Sequence, residues 1–573
     1  MAERKLTLII AGGTSLGAYE AGVLEEILYA LKGVNEDTNQ DDIKLDVMTG
    51  GSAGSITAAL VARALLHDHV GMKRILHQSW VMEADIELML EGESRGSLLS
   101  NKLQTQLAEL FLLGSEKYPL KVVNRSPAAP VRLVLGFTLS NVVGMDYGIP
   151  YHQGPGMDSA AADFTTTLFS DFADFTLDAS NNTNRDLWKN ISTAAIASGS
   201  FPIAFPPKMF HRDKTDYPGT EDRFKDFLPG EVPFYDGGIF NNEPLRQAID
   251  LSSEQDGGMI SDDRLFLLID PNLNTTKQDK DFLIPQSLNK NVFRLMQMAL
   301  GEIEARDWMR VGRINTQLEW RDNLVNGLVP VFGGLAEADL DQRLADIKGQ
   351  IQSILAHKSK VKGTTLGEDY LDERLNRIAE HHADALAELG SGDSADTRMK
   401  RLDLLKRTIF VINNASGLNR KSPMVLNFIG SDRKETAGDP MFAFAGFFKQ
   451  VWREHDYRIG RAKAHRLLPE LLSIDKYPKE PHDTEATDHN PLYELDPKWP
   501  DLTNVSIANA SREKREKVLE TVLDKISLIL KQEPFDLSSL KVWFIKTFLI
   551  KRKLKKLLGL KGEPPEETPL DIA

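Results

Sequence analysis

Three patterns in this chain have the residue types and spacing to do chemistry. The first is Gly50-Gly51-Ser52-Ala53-Gly54, preceded by the strand-like run Leu45-Asp46-Val47-Met48 and followed by Ala-rich, helix-favouring sequence. A serine on such a strand-to-helix turn is a nucleophile elbow. Its hydroxyl is exposed, and the flanking glycines remove side chains that would clash with strand and helix. The following helix would aim its first amides and its dipole at charge developing near the serine. The second pattern is Gly12-Gly13-Thr14-Ser15-Leu16-Gly17, between the apolar strand candidate Lys5 to Ala11 and a helix. Its backbone amides could hold an oxyanion, or the loop could close a βα turn or take a phosphate. Gly13-Thr14-Ser15-Leu16-Gly17 also repeats the serine-between-glycines spacing, so spacing alone does not separate Ser15 from Ser52. The third is Asp236-Gly237-Gly238, just after Pro233-Phe234-Tyr235. Serine needs a base to take its proton. A carboxylate in a glycine turn at a strand end can approach another loop and serve, although an ordinary Asp-Gly turn is the plainer reading. None of the twelve histidines stands at a strand end. His67 and His69 end an early helix, His381-His382 lies in a charged one, and all four read as solvated.

Those residues must be held by regular elements. A strand, a glycine loop and a helix occur twice between residues 5 and 65, with Ala18, Ala21, Leu24, Leu28 and Leu31 striping the first helix. The repetition argues for a parallel, helix-flanked sheet. Further strand candidates are Val131 to Leu139, Phe175 to Asp178, Pro233 to Tyr235 and Leu265 to Ile269. Met72 to Leu113 and Arg185 to Ser198 read as largely helical. Beyond about residue 275 the periodicity is helical, over Asn291 to Val311, Leu340 to Leu355, Leu371 to Leu389 and Phe442 to Leu472. The expected organisation is an α/β domain at 1–275, a mostly α-helical domain or cap at 276–535, and a basic helix with a polar tail at 536–573. No internal repeat is visible.

Composition narrows the classes. A chain of 573 residues exceeds one typical core. A hydrophobic share of 41% and a charged share of 27% are ordinary for a soluble globular protein. Cysteine is absent, which excludes disulfide and thiolate chemistry and suits a reducing compartment. A net charge of −14 argues against bulk nucleic-acid binding. There is no signal-peptide pattern, and no run reaches the roughly 18–20 apolar residues that span a bilayer. The expectation is a cytoplasmic protein with peripheral contact at the inner face of a membrane. Oligomeric state is not readable.

Taken together the motifs resemble the patatin-like phospholipase family, in that family's order. Gly12-Gly13-Thr14-Ser15-Leu16-Gly17-Ala18-Tyr19-Glu20-Ala21-Gly22 is similar to its glycine-rich oxyanion segment, and Gly50 to Ser55 to its nucleophile elbow. Ala197-Ser198-Gly199-Ser200-Phe201-Pro202 is similar to the segment before its aspartate, and Asp236-Gly237-Gly238 to the aspartate motif itself. The resemblance implies a three-layer α/β/α domain with a mainly parallel sheet, followed here by the helical C-terminal region. It implies a Ser52 nucleophile and an Asp236 base with no histidine, an oxyanion hole from Gly12, Gly13 and Thr14, and Ser15 as part of that loop. Gly17, Gly50, Gly54, Gly237 and Gly238 would support these motifs. It implies no metal and no cofactor. The activity implied is a lipid acyl hydrolase of phospholipase A or lysophospholipase type acting on phospholipid, with an acyltransferase or a catalytically silent lipid-binding protein as alternatives. Where the family commonly has a third glycine and a basic residue, this chain has Thr14 and Leu16. A nucleotide-binding loop is disfavoured because no P-loop lysine follows.

Outside that region, Phe447 to Arg461 is dense in aromatic and charged residues and resembles a segment of some large bacterial patatin-like proteins. It reads as a helix docked on the catalytic domain by ion pairs. Ser539 to Lys561 carries eight basic and no acidic residues. Trp543, Ile550, Leu554 and Leu558 fall on one helical face, and Lys551, Arg552 and Lys553 lie among the basic residues. That composition suits an interfacial helix drawn to anionic lipid, or a terminal helix docked on the protein itself.

Overall fold

A computed structural model of the chain describes residues 3–37, 41–67, 74–92, 96–122, 124–151, 162–217, 224, 227, 229–257, 260–261, 263–271, 280–284, 288–362, 366–389, 393–418, 425–431, 435–439, 443–474, 507–531 and 550–560. Strand β1 (Glu3–Ile10) leads through the Gly12-Gly13 loop into helix α1 (Gly17–Glu36), and β2 (Asp42–Gly50) through Ser52 into α2 (Ala53–Leu66). Both strands are buried along most of their length, as their apolar runs require when helices cover both faces of a sheet. Between α2 and the next strand the described chain makes only short helices, among them α3 (Ile86–Leu90) and α4 (Lys102–Phe111), where the periodicity predicts one largely helical stretch.

Strands β3 (Leu133–Tyr151) and β4 (Ala162–Leu177) form a hairpin far longer than its apolar core residues suggest. Its outer half alternates threonine, aspartate and exposed apolar residues such as Val143 and Phe169, a pattern weaker than a buried strand's. Helix α5 (Arg185–Ser198) follows, then β5 (Lys208–Arg212), β6 (Gly230–Asp236), α6 (Leu245–Gln255) and β7 (Arg264–Asp270). The sheet order is β5-β6-β3-β2-β1-β7, closed on its far edge by one more strand, β8 (Leu426–Gly430). Strands β3, β2, β1, β7 and β8 run parallel, and β4, β5 and β6 pair antiparallel. A buried pair fixes β1, β2 and β7 in register. Both Arg264 guanidinium nitrogens reach Asp46 at 2.6 and 2.8 Å, and Nη1 also donates to Thr7 Oγ1 at 2.8 Å.

Strand β8 corrects the expectation that the α/β part ends near residue 275. By contacts the chain divides into one unit of Met1–Ser252, Asp263–Ala305 and Val425–Ala573, and another of Ser253–Asp262 and Arg306–Met424. Expected boundaries at 275 and 535 therefore differ from those of the packed units. The second unit takes part of the long helix α7 (Leu288–Gly333) together with α8 (Glu337–Lys362), α9 (Glu368–His381) and α10 (Ala395–Ala415). Its core is Val325, Ile351, Leu375, Leu405, Ile409 and Phe410.

In the first unit α11 (Gln450–Leu471) packs directly on α1. The two backbones touch at glycines. A Cβ on Gly22 would collide with the Tyr457 carbonyl, and one on Gly460 with the Tyr19 carbonyl. Ion pairs flank the crossing, with Glu26 bound to Arg461 at 2.6 Å and His465 at 3.0 Å, and Glu454 to His77 at 2.7 Å. Glu454 is held down at about 2, because His77 and Arg458 favour its charged form against the opposing effect of burial. Helix α12 (Arg512–Leu530) and the terminal helix α13 (Lys551–Leu557) complete the described part of the unit.

Candidate active site

Parallel strands leave a crevice beyond their carboxyl ends, where loops from adjacent strands meet. The Gly12-Gly13 loop leaves β1 there, and Ser52 leaves β2 beside it. Strand β6 delivers Asp236 to the same level, since Gly50 pairs with Phe137 and Asp236 with Leu139, two residues further along β3. The serine hydroxyl donates to Asp236 Oδ2 at 2.6 Å, joining residues 184 apart in sequence.

The elbow is a strained turn. Ser52 sits at φ 50° and ψ −123°, a region that costs an L-residue on the order of 1–3 kcal/mol and persists only where the surroundings enforce it. Its amide donates to Ser198 Oγ at 3.0 Å, and Ser55 Oγ bonds both Ser198 Oγ and the Gly50 carbonyl at 2.8 Å. Gly50 and Gly54 are needed for close approach and not for unusual dihedrals. A Cβ on Gly50 would lie 2.6 Å from the Gly54 backbone, and one on Gly54 2.7 Å from the Ala11 carbonyl. Gly17 likewise lies beneath the Trp80 ring, and Gly237 presses on the Thr138 carbonyl.

Asp236 is 2% exposed. Burial pushes its carboxyl up to about 7, against the opposing pull of the Ser52 hydroxyl and of the Gly238 amide, which donates to Oδ1 at 2.8 Å. The two oxygens are thus divided, one held by the backbone and one facing the serine. That arrangement suits a general base poised near neutrality.

The glycine loop differs in one respect from the expected oxyanion hole. The Gly12 amide is committed, donating to Asn242 Oδ1 at 3.1 Å, and the Gly12 carbonyl accepts Asn242 Nδ2 at 3.4 Å. The amides of Gly13 and Thr14 have no partner among the described residues. Thr14 takes φ 53°, unusual for a β-branched residue, and faces the pocket with Ser52 and Asp236. Ser15 is fully buried and its hydroxyl accepts the Gly446 amide at 3.2 Å, so it is a packing residue with no access to substrate. Sequence reasoning does not single out Asn242 or Ser198, although Ser198 lies in a motif run and Asn242 shortly after Asp236-Gly237-Gly238. Their side chains act on backbone amides about 150–230 residues away, and such pairing leaves no local signal.

From Ser52 an apolar pocket runs between Leu60, Trp80, Met89, Leu107, Phe111 and Phe205, enclosing about 880 Å³ of empty space with its mouth included.

Other expected residues fall elsewhere. His67 is fully buried with its ring against Trp188, and His382 is 7% exposed, so neither is solvated as expected. Each is the first residue past a helix end, His67 after Leu66 and His382 after His381, where the chain packs inward. His69 and Trp543 lie outside the described residues. Among the described residues, Asp322, His381 and His382 are grouped closely enough to hold a metal. Arg321 stands in the group, though, with Nη2 2.9 Å from His381 Nε2 and 2.6 Å from Asp322 Oδ1. A guanidinium at that distance repels a second cation, so these residues do not fit a metal. Helix α13 and its flanking residues turn Ile550, Leu554 and Leu558 onto the protein's own core and leave Lys551, Lys553, Lys555 and Lys556 exposed. Arg515 on α12 donates to the Leu558 and Gly559 carbonyls at 2.8 and 3.0 Å. The side chain of Arg552 lies outside the described ones.

Residues 8–249 match the family model described as patatin-like phospholipase, so the chain carries a patatin-like phospholipase domain there, with a mostly parallel sheet and a helical C-terminal region. The chain is also similar to a protein of Sinorhizobium fredii (strain NBRC 101917 / NGR234) named "Uncharacterized protein y4iI", at 25% identity over 42% of this chain and 44% of that protein. The chain therefore spans less than half the length of that relative.

Proposed function

We propose that the protein is a lipid acyl hydrolase in which Ser52 attacks a fatty-acyl ester of a phospholipid and Asp236 takes its proton. The observation that carries the reading is the 2.6 Å hydrogen bond between a strained, elbow-borne serine and a buried carboxylate pushed up to about 7. Attack forms the C–O bond between Ser52 Oγ and the acyl carbon. The carbonyl oxygen becomes an oxyanion facing the Gly13 and Thr14 amides, and the alcohol leaves with the proton held by Asp236. Water then splits the acyl-enzyme by the same path and restores the serine. Each oxyanion donor contributes roughly 2.7–4 kcal/mol in enzymes that use one. The apolar pocket supplies room for the acyl chain at about 0.8 kcal/mol per buried CH₂. Phospholipid incubated with the protein should release free fatty acid and lysophospholipid. Release as an ester of an added alcohol would assign acyl transfer, and no acyl product would leave a lipid-binding role.

No helix among the described residues is long and apolar enough to cross a membrane. Because Ile550, Leu554 and Leu558 pack on the protein's own core, peripheral contact through the exposed lysines would be electrostatic. Each lysine near an anionic surface contributes on the order of 1 kcal/mol. Replacing Lys551, Lys553, Lys555 and Lys556 by glutamine should weaken binding to phosphatidylserine vesicles at least tenfold, while hydrolysis of a soluble ester stays within twofold. Unchanged vesicle binding would remove α13 from the membrane contact.

A further inference from the structure

The glycine loop is gripped from behind by chain that lies well beyond residue 249. Ser15 accepts the Gly446 amide, and the Gly446 carbonyl accepts Arg453 Nη1 at 3.0 Å. Arg453 Nε in turn donates to the Val81 carbonyl at 2.9 Å, beside the Trp80 ring that covers Gly17. A second backbone closes on the same hydroxyl. On Gly438 a Cβ would stand 2.9 Å from Ser15 Oγ and 3.0 Å from Leu16 Cδ2, and on Gly446 one would stand 2.6 Å from Ser15 Oγ. Gly438 is itself held by Asp456, wholly buried on α11, whose carboxylate accepts the Ala437 amide at 2.6 Å and the Gly438 amide at 2.9 Å. Next to Gly446, Phe447 lines the pocket that Thr14 also faces.

Thr14 explains why such a grip matters. A β-branched residue at φ 53° relaxes unless its neighbours over-determine it. Oxyanion donors must stand about 2.7–3.1 Å from the developing charge, so a small relaxation moves them out of range.

We propose that Gly438, Gly446 and Asp456 are positioning residues for ester hydrolysis, which lock Ser15 and thereby hold the Gly13 and Thr14 amides toward Ser52. The proposal rests on the hydrolase reading for its chemistry, and its structural half is measurable without catalysis. In the full chain, Gly446→Ala should speed amide hydrogen exchange in the peptide covering residues 11–17. It should also lower kcat on a soluble short-chain ester at least tenfold, with KM within twofold. Asp456→Asn, which keeps shape and one acceptor, should do both more mildly. Ser15→Ala alone should lose about fivefold, the value of one ordinary hydrogen bond. Combined with Gly446→Ala, however, it removes the closest clash, so the double variant should be more active than Gly446→Ala alone. Unchanged exchange with wild-type kcat in Gly446→Ala, or losses that simply multiply, would overturn the proposal. Wild type that hydrolyses no ester would instead remove the hydrolase reading, and the exchange measurement would still decide the grip.

Discussion

Ser52→Ala should lose ester hydrolysis by about 10⁴-fold or more, and with it all labelling by a fluorophosphonate probe. The size follows from what the substitution removes. Oγ is the atom that would bond to the acyl carbon, and no other described hydroxyl shares its place beside Asp236 Oδ2. Residual rate would come only from the oxyanion donors and from binding, which in serine hydrolases leave a small fraction of the activity. Alanine bears the same left-handed strain as serine at φ 50°, and the amide at position 52 would keep its bond to Ser198 Oγ. The variant should therefore fold, and its melting temperature should lie within a few degrees of wild type. Ser15→Ala is the control, because the two serines share one sequence pattern and differ only in where the fold puts them. An active, probe-labelled Ser52→Ala would end the reading.

Asp236 sets the pH dependence and a second large effect. As a base it must be ionised, so kcat/KM should climb about tenfold per pH unit below about 7 and level off above it. Asp236→Asn should hold the rate at least about 10³-fold lower at every pH, given the weight that general-base catalysis carries in enzymes. Its folding stability should move the other way. The carboxyl's folded value, about 7, lies above its ordinary 3.8. Its contribution to stability is therefore full below pH 3.8, falls as pH rises between the two values, and is lost once pH passes about 7. A shift of that size corresponds to about 4 kcal/mol, as an order of magnitude. Asparagine escapes this. Its carbonyl can accept the Gly238 amide and its amide can donate to Ser52 Oγ, with no charge to bury. At about pH 8 Asp236→Asn should melt several degrees above wild type, and at about pH 4 the two should converge. A flat melting temperature and a flat rate between about pH 5 and 8 would show that Asp236 does not titrate in this range.

The parts of the fold legible in the sequence are those written locally. Two strand–glycine–helix units, β6 ending at Asp236, and the helical periodicity beyond residue 290 all rest on side-chain period and on glycine at tight turns, which a window of about ten to twenty residues contains. The β3–β4 hairpin is only half legible, because its outer residues face away from a core and carry no buried-strand pattern. Strand β8 is not legible at all, because five residues in a helical half of the chain become a strand only when the open edge of β7 is there to pair with them.

What the sequence by itself determined is the set of groups available and the turns that present them: Gly12 to Gly17, Gly50 to Gly54, and an aspartate before two glycines. Tertiary structure alone decided how those groups are used. It buried Ser15 under Gly446 and set Ser52 in the lining of an apolar pocket, and it gave the Gly12 amide to Asn242 while those of Gly13 and Thr14 have no partner among the described residues. It also put a buried carboxylate 2.6 Å from a hydroxyl 184 positions away. The reason is physical. A turn's shape depends on the few residues within it, whereas a hydrogen-bond partner and a carboxyl's loss of water depend on which distant backbones the packed core brings into contact.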